Sequence, residues 1–132
     1  MVIRYAVGVL ELGPLVDTAI TVATPHQGCR SAWFELGHVA AQCRPGSDVL
    51  RRIHAAKRSG RTRWIAYYSN LDLLVPPSSA KIGDLDAENV LLRNQSHTSM
   101  LFSPHLARDL TARLAAPPRQ PATLAVPTIA VS

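Results

Sequence analysis

Asp72 and His97, twenty-five residues apart, each stand just past the end of a short apolar run. Trp64-Ile65-Ala66-Tyr67-Tyr68 leads into Ser69-Asn70-Leu71-Asp72, and Asn89-Val90-Leu91-Leu92 leads into Arg93-Asn94-Gln95-Ser96-His97. Runs this short, apolar on both faces and closed by turn residues, suit buried strands of a parallel sheet. In open α/β sheets, chemistry gathers outside the carboxyl ends of the strands, so these two side chains are expected to meet there. A carboxylate that holds one imidazole nitrogen leaves the other to take up and return a proton.

Other residues compete for such roles. Asp84 and Asp86 precede the second run, so they fall at the opposite end of a parallel sheet and read as turn and capping residues. His26 follows the run Ala19-Ile20-Thr21-Val22-Ala23 and is expected near the carboxyl edge, as a structural or rim histidine making a loop hydrogen bond. Ser47 lies in Pro45-Gly46-Ser47-Asp48-Val49, follows no strand, and reads as a helix N-cap. Cys29 and Cys43 lack C-x-x-C spacing and any surrounding Cys/His pattern, so no metal or redox motif is expected. They read as two thiols. A loop-closing disulfide is the alternative for an exported protein, and Cys29 as a nucleophile is the least favoured reading.

The stretch carrying Asp72 and His97 resembles the C-terminal part of bacterial α/β-hydrolase lipases and esterases, of the compact triacylglycerol-lipase type. The family's Y-S-x-x-D-x-x-V reads Tyr68-Ser69-Asn70-Leu71-Asp72-Leu73-Leu74-Val75, and its H-x-x-L-x-x-S reads His97-Thr98-Ser99-Met100-Leu101-Phe102-Ser103. Its T-P-H-x-G reads Thr24-Pro25-His26-Gln27-Gly28. Together these reach from about Met1 to Leu114. The resemblance implies a serine hydrolase of carboxylic, acyl-glycerol-like esters that needs no cofactor, with Asp72 as triad acid and His97 as base. Asp before His fits the family's chain order Ser…Asp…His.

The family's nucleophile departs from view. Its serine lies in G-x-S-x-G on a strand-to-helix turn, and no such pentapeptide occurs in this sequence. Met1-Val2-Ile3-Arg4-Tyr5-Ala6-Val7 resembles the helix that begins directly after that turn. The expectation is therefore a partial α/β-hydrolase domain, with three mainly parallel strands and flanking helices over residues 1–115. Residues 116–132 form a Pro-rich tail expected to be disordered. Such a chain, lacking the serine and oxyanion donors, is expected to be inactive alone. A non-catalytic interaction module, or one half of a split hydrolase, is the alternative. Truncation and a mis-assigned start fit the sequence equally well.

The elements that must position these residues are readable in outline. Val2 to Leu12 reads as a helix with Ile3, Ala6, Val7 and Leu10 on one face, stopped by Gly13-Pro14. Ala19 to Ala23 reads as a buried strand. Ala32 to Cys43 reads as a weaker helix with Trp33, Leu36, Val39 and Ala40 on one side, either shaping an acyl-binding entrance or packing in the core. Asp48 to Arg58 follows, capped by Ser47, buried through Val49, Leu50, Ile53 and Ala56, and ended by Ser59-Gly60. Val75-Pro76-Pro77 must be extended or turning. Ser103-Pro104 opens the last helix, whose stripe is Leu106, Leu110 and Leu114.

Apolar content of 47% fits one globular domain rather than a disordered chain. A net charge of +5 admits nucleic acid or an anionic surface as partners. However, the basic residues cluster only at Arg51, Arg52, Lys57, Arg58, Arg61 and Arg63, as on a solvated helix face, with no interleaved aromatics. Nucleic acid is therefore not an expected partner. No run reaches the roughly 18 apolar residues of a membrane span, and no signal-peptide cleavage pattern is seen. The chain as given reads as cytoplasmic, with an exported parent lipase as the alternative. The expected partners are an ester or lipid substrate and, through an exposed sheet edge, a second copy.

Overall fold

A computed structural model describes residues 1–33, 37–56, 62–83 and 85–115. Three parallel strands form one sheet in the order β1-β2-β3: Thr18–Val22, Arg63–Tyr68 and Ala87–Leu91. The register pairs Ile20 with Ile65 and Tyr67 with Val90. Helices flank the sheet: α1 (Val2–Arg4), α2 (His38–Cys43), α3 (Asp48–Ala55), α4 (Pro77–Ala80) and α5 (Pro104–Ala115). The chain is a small α/β fold.

Alternation along the strands builds two cores, one per face of the sheet. Ile65 and Tyr67 of β2 pack with Met100, Leu106 and the partly buried Ile20 and Leu110 beneath α5. Trp64 and Ala66 pack on the other face with Val7, Ala19 and Ile82. Both faces of β2 are therefore buried, which is why its sequence shows a continuous apolar run.

The first helix departs from the expected stripe. After α1 the chain widens into a π-helical segment, Tyr5–Val9, in which the Leu10 N–H reaches the Tyr5 carbonyl, 3.0 Å away. Each extra residue turns the following side chains by about 100° relative to an α-helix. Val7 stays buried, but Leu10 is 57% exposed and Arg4 is buried. The helix also ends short of Leu12. In the next expected helix, a 3-10 turn (Arg30–Trp33) and α2 are separate, because Gly37 at φ 122° precedes α2. Leu36 lies outside the described residues, and Val39 is 76% exposed rather than core.

Ser47 caps α3, accepting the Leu50 N–H at 3.3 Å, and Leu50 and Ile53 are buried as expected. Residues 57–61, including the end of that expected helix, lie outside the described residues. Ser103 accepts the Leu106 N–H at 3.4 Å at the start of α5. Leu106 is buried and Leu110 partly so, but Leu114 is 69% exposed. The expected stripe therefore ends a turn early.

Charge rather than apolar contact holds the far end of α5. The buried Tyr67 hydroxyl donates to Asp109 Oδ2 at 2.6 Å. Arg113 donates to the same oxygen at 2.8 Å and forks onto both oxygens of Glu88 at 2.7 and 2.5 Å. Arg63 reaches Glu88 from β2 at 3.2 Å. The Arg113 fork holds the Glu88 carboxyl below its ordinary range, and the Tyr67 hydroxyl, then Arg113, do the same for Asp109. Burial, followed by the Asp109 contact, pushes the Tyr67 hydroxyl up to about 12.

An acid dependence follows. Both carboxyls titrate lower in the folded chain than unfolded, so their contribution is complete above the unfolded value of about 4 and fades as pH falls through the folded values. The midpoint of thermal unfolding, followed by circular dichroism, is expected to fall mainly below about pH 4. Glu88→Gln combined with Asp109→Asn should lower the midpoint at neutral pH and flatten the acid limb. A loss already complete above about pH 5 would contradict this origin.

Candidate active site

Two loops at the carboxyl ends of β2 and β3 are zipped together by their own polar side chains. Ser69, fully buried directly after β2, donates to the Gln95 carbonyl at 2.6 Å. Its oxygen also accepts the N–H groups of Leu71 and Gln95, each at 3.2 Å. Next to it, Asn70 Oδ1 accepts the Asn94 N–H at 2.8 Å, and Asn94 sits at φ 57°, a conformation that asparagine tolerates. The Asp72 and His97 loops are thus fixed before the contact between those two side chains is considered.

Asp72 is buried, with 3% of its surface exposed. Its Oδ1 accepts the N–H groups of Leu74 and Val75, both at 2.9 Å, which closes an Asx-type turn. Oδ2 faces His97 Nδ1 at 2.8 Å. An ionised Asp72 has acceptors only, so with the carboxylate form His97 Nδ1 is the donor in this contact and Nε2 is the nitrogen that keeps its lone pair. The His97 side chain is 36% exposed.

His97 lines a cavity of about 670 Å³. Its walls are mostly apolar, including Ala23, Pro25, Val39, Leu74 and Val75. Ala23 closes β1 at φ 48°, so the expected last strand residue is instead the first of the turn that forms this wall. Gly28, at φ 85°, permits the next turn, because a Cβ there would lie 2.7 Å from the Pro45 nitrogen.

The remaining candidates are dispersed. His26 is the structural of the two alternatives, not the rim one: it is wholly buried, and its Nε2 meets Thr21 Oγ1 at 2.9 Å. The same hydroxyl reaches the Ile65 carbonyl at 3.4 Å, so His26 ties the β1 loop to β2. Cys29 is buried and its thiol donates to the Leu74 carbonyl at 2.6 Å, against the Asp72 turn. Asp86 is exposed one residue before β3, at the amino end of the sheet, and Asp84 lies outside the described residues. Ser47 donates to the Gln42 carbonyl at 2.7 Å while capping α3. Among the described residues, no group of three potential ligands is arranged to hold a metal ion. Nor is any described helix long and apolar enough to cross a membrane.

Sequence reasoning passed over Ser69 as a working residue. Its only signal was its place beside Tyr68 in the quoted motif, since serine after a strand is an ordinary turn residue. Comparison with models of known protein families, with curated proteins and with solved structures finds no match.

Proposed function

We propose that Asp72 and His97 are the acid and base of a serine hydrolase of carboxylic esters, built on an α/β-hydrolase fold of the lipase type. One observation carries this reading. The buried Asp72 carboxyl meets His97 Nδ1 at 2.8 Å, and His97 lines a mostly apolar cavity. Three parallel strands in sequential order, with the acid after the second and the base after the third, agree with that fold.

In such a site, His97 Nε2 accepts the serine proton as Oγ attacks the ester carbonyl, and the imidazolium returns it to the departing alcohol. Water then repeats the cycle on the acyl-enzyme. Asp72 stabilises each transient imidazolium without taking its proton. The apolar cavity is suited to an acyl chain. No G-x-S-x-G occurs in the 132 residues, so this reading requires the serine and its oxyanion donors to be supplied from outside them.

The test has two arms. The 132-residue chain alone should show no His97-dependent hydrolysis of p-nitrophenyl butyrate, because nucleophile and oxyanion donors supply most of such an acceleration. The DNA before the Met1 codon should encode a strand–G-x-S-x-G segment, in the same or a neighbouring frame, and adding that segment should bring turnover. His97-dependent turnover by the chain alone, or no gain with the added segment, would defeat the proposal. Binding of a protein partner without turnover would favour an interaction module.

A further inference from the structure

We infer that Cys29 and Cys43 are a built site for a reversible intramolecular disulfide. Both are thiols in the structure. The Cys29 N–H donates to the Cys43 carbonyl at 2.7 Å, which joins the loop after β1 to the last turn of α2. The covalent lengths on either side of that bond keep the two Cα atoms within about 6.6 Å of each other, below the limit of about 6.8 Å for a disulfide. Cys43 packs against the apolar cluster of Cys29, Ala32, Val75 and Ala80, and both cysteines line the cavity that holds His97.

The two thiols differ in access. Cys29 is buried and Cys43 is partly exposed, so Cys43 meets the oxidant and Cys29 resolves. With glutathione disulfide as oxidant, the Cys43 thiolate attacks one sulfur and expels a glutathione thiolate. The Cys29 thiolate then attacks Cys43 Sγ and expels the second. The protein loses two hydrogens and two electrons, and two molecules of reduced glutathione leave. Oxidation also takes from the Leu74 carbonyl the thiol hydrogen it accepts, and the Leu74 N–H is one of the two backbone donors to Asp72. The redox state of the pair is thereby connected to the turn that carries the carboxylate, whatever that carboxylate does.

The experiment equilibrates the full chain in graded mixtures of reduced and oxidised glutathione, with and without concentrated urea. Acid quenching, maleimide tagging and peptide mapping then count thiols and locate bonds. The folded chain should form the Cys29–Cys43 disulfide with an equilibrium constant at least about tenfold above that of the urea-unfolded chain, because the fold holds the thiols together. Oxidation should also raise the thermal midpoint of the wild type, and Cys29→Ser and Cys43→Ser should each abolish that rise. An equal or smaller constant in the folded chain overturns the inference, as do glutathione adducts or intermolecular disulfides as the main products. If a serine variant fails to fold, the folded-to-unfolded ratio of the wild type decides by itself.

Discussion

Once the serine-bearing segment is supplied, His97→Ala and Asp72→Asn are each expected to lower kcat/KM for p-nitrophenyl butyrate by about 10⁴-fold. The loss at His97 follows from removing the imidazole that the proposal assigns to move the proton. The loss at Asp72 follows from hydrogen-bond bookkeeping around its side chain. Leu74 N–H and Val75 N–H point at one oxygen and His97 Nδ1 at the other. An asparagine presents one carbonyl and one amide group. If the carbonyl keeps the two backbone donors, the amide NH₂ faces Nδ1 and favours the tautomer with hydrogen on Nε2. The ring then holds its hydrogen where its lone pair is needed. Asp86→Asn should leave the rate unchanged, since Asp86 stands before β3, at the other end of the sheet. Steady-state kinetics on purified variants, with circular dichroism as the control for folding, checks this. Damage from Asp86→Asn with Asp72→Asn harmless would move the acid to the wrong end of the sheet and remove the assignment.

The meeting of Asp72 and His97 was legible because a parallel sheet turns sequence position into spatial position. A residue just past one strand meets a residue just past the next, and Asp72 and His97 are such a pair. The strands themselves were marked by β-branched and aromatic residues within a residue or two of their true ends. The ties between the loops were not legible. Ser69 with Gln95, and Asn70 with Asn94, are partners across more than twenty residues, drawn from types that occur in any turn. The anchor of α5 was hidden for the same reason: Tyr67, Glu88, Asp109 and Arg113 come from three elements and share no local pattern. In the first helix, helical periodicity misled. One π-helical step rotates Leu10 to solvent, and the backbone change leaves no mark in side-chain type.

The isolated chain is expected to self-associate, and to do so through β1. This strand lies at the end of the described sheet and has β2 on one side only. The Asp17 carbonyl accepts the Arg63 N–H at 2.8 Å, and the Ala23 N–H donates to the Tyr67 carbonyl at 2.9 Å. Backbone groups alternate sides along a strand, so residues 17, 19, 21 and 23 face β2, while Thr18, Ile20 and Val22 direct theirs outward. An outward row on a short apolar strand is a template for another chain. Val2, Leu10 and Leu15, 85%, 57% and 82% exposed, add apolar surface on the segments preceding that strand. Thr18→Pro removes one outward donor at the first strand position, where proline is tolerated, and leaves the bonds to β2 in place. Size-exclusion chromatography with light scattering across a concentration series should show assemblies larger than a monomer. Thr18→Pro should raise the apparent dissociation constant at least about tenfold, the equivalent of 1.4 kcal/mol. A monodisperse wild-type monomer that unfolds in one sharp transition would mean that β1 needs no neighbour. The reading in which a further strand belongs beside it would then lose its physical basis.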